Sequence, residues 1–226
     1  MNAMNKIYIK KEFDRVPSNL VDLVADIPTS ILSDCDPVSK TLRSDIRAAV
    51  KGARAVGSAL TVKLGKNSNF LLHAALSLAK PGDVLVVDSA GAEAAVFGEI
   101  MSTVALATGV AGLIVDGYTR DSDRYGEVGF PIFARGHTPC VVGREPTAGS
   151  INLPIECGGV TIEAGALIVA DDDGVIVIEP QRIPDVAEKA RQKLLAEQQR
   201  LEGIRNGARA PAWLEGGLKE ANIAYL

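Results

Sequence analysis

The stretch GVAGLIVDGYTRDSD, residues 109 to 123, holds the reading that decides the fold. Its apolar run Leu113-Ile114-Val115 has the β-branched character of a buried strand. Asp116-Gly117 reads as the turn that ends it, after which the chain presents Arg120 beside Asp121. Loops that leave strand ends carry much of the chemistry of α/β proteins. An adjacent guanidinium and carboxylate can hold an anion and a metal ion side by side. The same pair also fits a solvated turn, and the segment alone does not separate the two.

Working outward, DVLVVD, residues 83 to 88, is a second continuous β-branched run. Residues 93 to 109 between the two runs read as mostly helical, with a helix start at Gly98-Glu99 and a stop at Gly109. AVGSALTVKL, 55 to 64, reads as another strand, Asn67 to Asn69 as a turn, and FLLHAALSLA, 70 to 79, as a helix stopped by Pro81-Gly82. Asn69 is expected to cap that helix. Residues 17 to 35 have helical spacing broken at Pro28, with Thr29 or Ser30 as the cap of a second short helix.

Downstream, residues 130 to 136 and 139 to 145 are predicted to be short strands, and 151 to 180 a series of β-segments with glycine turns. Asp171-Asp172-Asp173-Gly174 lacks the spaced ligands and closing Glu of a calcium loop and reads as a tight hairpin turn. Residues 183 to 206 form one long charged helix whose Val186, Ala190, Leu194, Leu195 and Leu201 suggest a buried stripe. The tail from residue 210 carries Trp213, Tyr225 and Leu226 and is expected to dock on the core or on a neighbouring subunit. The architecture expected is α/β: a single domain over residues 1–182 with central β-layers flanked by helices, and a helical C-terminal extension over 183–226.

Composition narrows the function classes. With 47% hydrophobic and 23% charged residues the chain reads as an ordinary globular protein. A net charge of −4 argues against a dedicated nucleic-acid surface, and no apolar run is long enough to span a membrane. Cys35, Cys140 and Cys157 fit neither a disulfide framework nor a zinc motif, which points to a reducing, cytoplasmic setting. Cys140, in an apolar run, is expected to be inert. Two histidines, His73 and His137, leave any metal to carboxylates and water, the ligands of a hard cation such as Mg²⁺ or Mn²⁺. His73, beside Leu71, Leu72 and Leu76, reads first as a packing residue.

If the strands at 83–88 and 112–117 are neighbours, the loops bearing Glu99 and Arg120-Asp121 share one sheet edge. Two carboxylates forming a hard-metal site, a guanidinium and the free N–H groups of Ile100 and Met101 at a helix start would then converge on one small anion. The bland alternative makes Glu99 a first-turn carboxylate favoured by the helix dipole. No Lys adjoins the motif, so a Schiff-base mechanism is not expected. No G-x-G-x-x-G loop is present to bind a nucleotide.

VAGLIVDGYTRD, preceded by FGEIMSTVALATG and DVLVVDSAG, closely resembles the family of the regulator of ribonuclease activity A, as does the upstream stretch 52 to 88. That family includes class II 4-hydroxy-4-methyl-2-oxoglutarate and 4-carboxy-4-hydroxy-2-oxoadipate aldolases. Its enzymes carry an acidic residue, twenty intervening residues and then Arg-Asp; here these are Glu99 and Arg120-Asp121. The resemblance runs from about Ile27 to Val177. It implies a swivelling-domain-like β/β/α fold assembled as a trimer or hexamer. It also implies Mg²⁺ or Mn²⁺ on Asp121, with Glu99 joining through a water molecule. Arg120, Gly98 and the amides of Ile100 and Met101 would hold a 2-oxo acid. The implied activity is retro-aldol cleavage of a 4-hydroxy-2-oxo acid to pyruvate, with oxaloacetate decarboxylation through the same enolate. The same family contains non-catalytic regulators that bind a ribonuclease, which is the alternative reading.

Overall fold

The computed structural model describes residues 6–223. In chain order its elements begin with β1 (Ile7–Ile9), α1 (Ser18–Val21), α2 (Thr29–Cys35), β2 (Lys40–Thr41), β3 (Arg47–Ala48), β4 (Ala55–Lys63), α3 (Phe70–Leu78) and β5 (Asp83–Asp88). There follow β6 (Ala95–Phe97), α4 (Glu99–Ala107), β7 (Gly112–Thr119), α5 (Tyr125–Val128), β8 (Ile132–His137) and β9 (Gly149–Ile151). The chain closes with β10 (Ile155–Cys157), β11 (Val160–Ile162), β12 (Leu167–Asp171), β13 (Gly174–Ile178), α6 (Ile183–Arg205) and α7 (Ala212–Glu220).

One large sheet runs in the order β2-β13-β12-β4-β5-β7-β8-β3, with β9 on β4, β1 on β9 and β6 on the end of β7. Its centre, β4-β5-β7-β8, is parallel, so each strand returns to the same edge through a crossover connection. The side-chain period of two sends alternate residues of each strand to opposite faces. Leu85, Val87, Leu113 and Val115 pack under the helices, while Val84, Val86, Ile114 and Phe133 pack on the other face beneath the β10–β11 hairpin. On the helical face, Leu167, Val169, Ile176 and Ile178 meet α2 and the first half of α6. The result is three layers, helices on a large sheet on a small hairpin.

Several expectations are corrected. Asp116-Gly117 is not a turn: β7 continues to Thr119, because its C-terminal end is paired with β6 on one side and β8 on the other. Residues 95–97, expected to be helical, form β6, and α4 begins at Glu99 as its capping signals suggest. Residues 139–145 are not a strand but a loop held by two isolated bridges, Ala95 to Val141 and Ser68 to Gly143. Cys140 lies in that loop and is exposed.

Neither Thr29 nor Ser30 caps α2 with its own side chain. The N-cap position is Pro28, and Asp171 of the β12–β13 hairpin supplies the acceptor, taking the Thr29 N–H at 2.8 Å and its hydroxyl at 2.6 Å. Asp171 to Gly174 does form the expected tight hairpin. The buried stripe of α6 is Ile183, Val186, Ala187 and Ala190. Beyond it Leu201, expected in the stripe, is exposed, as are Leu218 and, at 72%, Trp213. Tyr225 and Leu226 lie outside the described residues. Among the described residues no helix is long and apolar enough to cross a membrane.

Candidate active site

β6 and β7 end together, and that places the site. Their parallel pairing runs out at Phe97 and Thr119, and the Arg120 N–H closes the edge by donating to the Phe97 carbonyl at 3.0 Å. Gly98 and Arg120 therefore leave the sheet side by side. Asp121 turns into the left-handed region, with φ 63° and ψ 36°, a conformation Asp tolerates better than most residues. This turn aims its carboxylate back at the start of α4, where Oδ2 accepts the Glu99 N–H at 3.1 Å. The Arg120 guanidinium lies 3.5 Å from the same oxygen.

This convergence requires glycine at 98. Its backbone is extended, so the reason is space and not φ. A Cβ there would stand 2.5 Å from Asp121 Oδ2 and 3.1 Å from Arg120 Cγ. The buried Tyr125 donates its hydroxyl to the Arg120 carbonyl and pins the turn from behind. Burial pushes the Tyr125 hydroxyl pKa up, so it stays a donor.

Arg120, Asp121, Gly98, Ile100 and Met101 line one cleft of about 480 Å³, counting its open mouth. Asp121 already takes the Glu99 amide, so the Ile100 and Met101 N–H groups are the free donors of the first turn. Glu99 itself departs from expectation. Its carboxylate does not line the cleft; it reaches Arg124 at 3.5 Å. The two carboxylates expected to flank Arg120 are thus divided between two arginines. Arg124, three residues past Asp121, went unread in the sequence because an arginine in a polar turn carries no distinctive pattern.

The opposite wall comes from the loop after β8 and the start of α3. Asn69 occupies the N-cap position but makes no side-chain cap bond. Its amide instead donates to the Val96 carbonyl at 3.1 Å, because the side chain folds inward over β6. His73 and Arg144 complete this wall. His73 is not closed into the core: it lines the cleft, covered on one side and open to solvent on the other. Burial first and the Arg144 charge second hold its pKa below the ordinary histidine value.

Among the described residues no cluster of three or more His, Cys, Asp or Glu side chains is arranged to hold a metal. Asp121 is the one carboxylate of the cleft, and its Oδ1 makes no hydrogen bond to the described residues. That donor set suits a hard cation that keeps most of its waters, as Mg²⁺ does, and does not suit an all-protein cage.

The chain is a layered α/β domain that gathers Arg120, Asp121 and the first-turn amides of α4 at one sheet edge. Residues 20–177 match the family described as RraA-like: Aldolase/RraA, and the chain belongs to it. A protein of Halalkalibacterium halodurans, named provisionally as a 4-hydroxy-4-methyl-2-oxoglutarate aldolase, is 37% identical over 84% of this chain and 90% of its own. An uncharacterized Pseudomonas syringae protein of known structure superposes with a TM-score of 0.77 at 27% identity, covering 87% of this chain and 97% of its own. The RNA-processing inhibitor RraA from Thermus thermophilis superposes with a TM-score of 0.63 at 28% identity, over 68% of this chain and 93% of its own. The family thus includes proteins named for aldol chemistry and one named for RNA-processing inhibition.

Proposed function

We propose that this chain is a divalent-metal-dependent lyase. It cleaves a 4-hydroxy-2-oxo acid of the 4-hydroxy-4-methyl-2-oxoglutarate type to pyruvate and decarboxylates oxaloacetate at the same site. The observation that carries the reading is the meeting of Arg120, Asp121 and the first-turn amides of α4 in one cleft. The aldolase-type name of the relative from Halalkalibacterium halodurans supports it.

In the retro-aldol direction the 4-hydroxyl loses its proton to a base. The C3–C4 bond then breaks, the C4 fragment leaves as a carbonyl compound, and the bonding pair moves into a pyruvate enolate. Protonation at C3 gives pyruvate. Oxaloacetate reaches the same enolate by losing CO₂. Both paths put new negative charge on the keto oxygen, where preorganised donors act most strongly. Arg120 serves the 2-oxo acid's carboxylate and keto oxygen, and the Ile100 and Met101 amides add dipolar donors. Asp121 would hold Mg²⁺ or Mn²⁺, which when bound supplies Lewis-acid stabilisation of that charge. Glu99 joins through a water molecule or serves by fixing Arg124; Glu99→Gln separates the two uses.

The test is pyruvate release from 4-hydroxy-4-methyl-2-oxoglutarate and from oxaloacetate, with Mg²⁺ and with a chelator. Metal-stimulated release from either is expected. Arg120→Ala should lower kcat/KM by about 10²–10³-fold, the scale of a lost oxyanion donor. No release from either substrate rejects the reading. Assembly into a trimer or hexamer, checked by sedimentation, belongs to the same proposal. A second reading, regulation by binding a ribonuclease, draws support from the exposed Trp213 and Leu218 of α7 and from the RNA-processing inhibitor of the same family. It predicts ribonuclease inhibition that survives Arg120→Ala.

A further inference from the structure

The cleft has a half that the enolate chemistry leaves unused. Asn69 is only 6% exposed, and its Oδ1 is buried with no hydrogen-bond partner among the described residues. Its orientation is not arbitrary. The NH₂ must face the Val96 carbonyl, since an amide oxygen there would set two acceptors against each other. The unmatched acceptor is therefore Oδ1, on a residue that lines the cleft. A buried orphan acceptor costs about 1–3 kcal/mol, so one inside a ligand cleft calls for a ligand donor.

Arg144 shares this wall, and the backbone locks it there. Gly143 N–H donates to the Asn67 carbonyl at 2.9 Å, and Asn69 N–H donates to the Gly143 carbonyl at 3.1 Å. Ser68 donates its hydroxyl to the Glu145 carbonyl at 2.6 Å. Three bonds thus tie the residues flanking Arg144 to the turn that presents Asn69. Arg120 has Asp121 and Arg124 has Glu99, whereas Arg144 pairs with no carboxylate among the described residues. The cleft carries two arginines against one aspartate, a positive excess that suits a second anionic group.

We propose that Asn69 and Arg144 form the specificity half of the site and read an α-hydroxy-carboxylate end of the substrate. Asn69 Oδ1 accepts a hydrogen bond from the hydroxyl at C4, and the Arg144 guanidinium binds the carboxylate attached beyond it. This rests on the retro-aldol reading above. It gives the enzyme a means to prefer a hydroxylated diacid over oxaloacetate, which has no hydroxyl donor in its keto form.

The experiment measures kcat/KM for three substrates with the wild type, Asn69→Leu and Arg144→Gln. The substrates are 4-hydroxy-4-methyl-2-oxoglutarate, 4-hydroxy-2-oxopentanoate (hydroxyl, no distal carboxylate) and oxaloacetate (no hydroxyl). Arg144→Gln should cut the preference for the diacid over 4-hydroxy-2-oxopentanoate at least about tenfold, through KM, the scale of one lost charge-assisted bond. Asn69→Leu should cut the preference for either hydroxylated substrate over oxaloacetate by a similar factor. Equal losses on all three substrates, or unchanged ratios, overturn the proposal. Arg144 is exposed, so its variant is readable even where Asn69→Leu folds poorly. A wild type that turns over none of the three rejects the retro-aldol reading itself; an active wild type with unmoved ratios rejects only this inference.

Discussion

Gly98 shows how one missing atom shapes a site. Gly98→Ala puts a methyl 2.5 Å from Asp121 Oδ2, and the carboxylate is the part able to give way. The expected outcome is a loss of activity of tenfold or more with a melting temperature close to wild type. Activity and thermal unfolding measured together check it, and an unchanged rate refutes the close-approach argument. His73 offers a pH readout at the same scale. Burial and the Arg144 charge both disfavour its protonated form, so in the folded protein it titrates below its ordinary value of about 6.5. Because the unfolded chain takes up that proton more readily, the stability His73 contributes is full above its ordinary value and is lost as pH falls from there through the lowered folded-state value. Arg144→Gln should move the His73 midpoint upward, as followed by NMR titration of the ring proton. Of these residues, Arg120, Asp121 and Gly98 were legible from motif and spacing. The uses of Asn69, His73 and Arg144 were not, because they depend on which loop comes to face the motif.

Elements were legible where one period dominated. The runs at 83–88 and 112–115 are buried on both faces, so their continuous β-branched character survives into the structure as β5 and β7. β6 was hidden because three apolar residues beside a helix carry no period of their own, and only pairing with β7 makes them a strand. The cap of α2 was misassigned for a related reason. Its acceptor, Asp171, lies 142 residues away, and local signals cannot show it. Asp171→Ala removes acceptors for the Thr29 N–H and hydroxyl and the carboxylate partner of Arg54 at 3.5 Å. A loss of about 1–2 kcal/mol is expected in denaturant unfolding, the scale of a helix cap and its hydrogen bonds. A change below about 0.5 kcal/mol contradicts that assignment.

At the scale of the whole molecule, the ion pair of Arg15 with Asp83 ties the segment before α1 to the start of β5. Asp83, fully buried at the start of β5, accepts two bonds from Arg15 at 2.7 and 2.8 Å and the Lys80 N–H at 2.8 Å. Arg15→Ala should destabilise the fold by about 3 kcal/mol, because it leaves a buried carboxylate without its counter-charge. Adding Asp83→Asn in that background should recover part of the loss, as read by urea unfolding. No recovery would show that Arg15 acts through packing and not through charge. The residue types alone determined that this is an α/β chain and that Arg120 and Asp121 follow the buried strand at 112–115, because strand burial is local and periodic; that the strand runs on through Asp116-Gly117 to Thr119 came only from its pairing with β6 and β8. Only the tertiary structure decided that Glu99 turns to Arg124 and that Asn69 and Arg144 close the far wall. Those facts follow from where β6, α3 and the loop after β8 pack, and contacts between segments so far apart in the chain leave no period for a sequence to display.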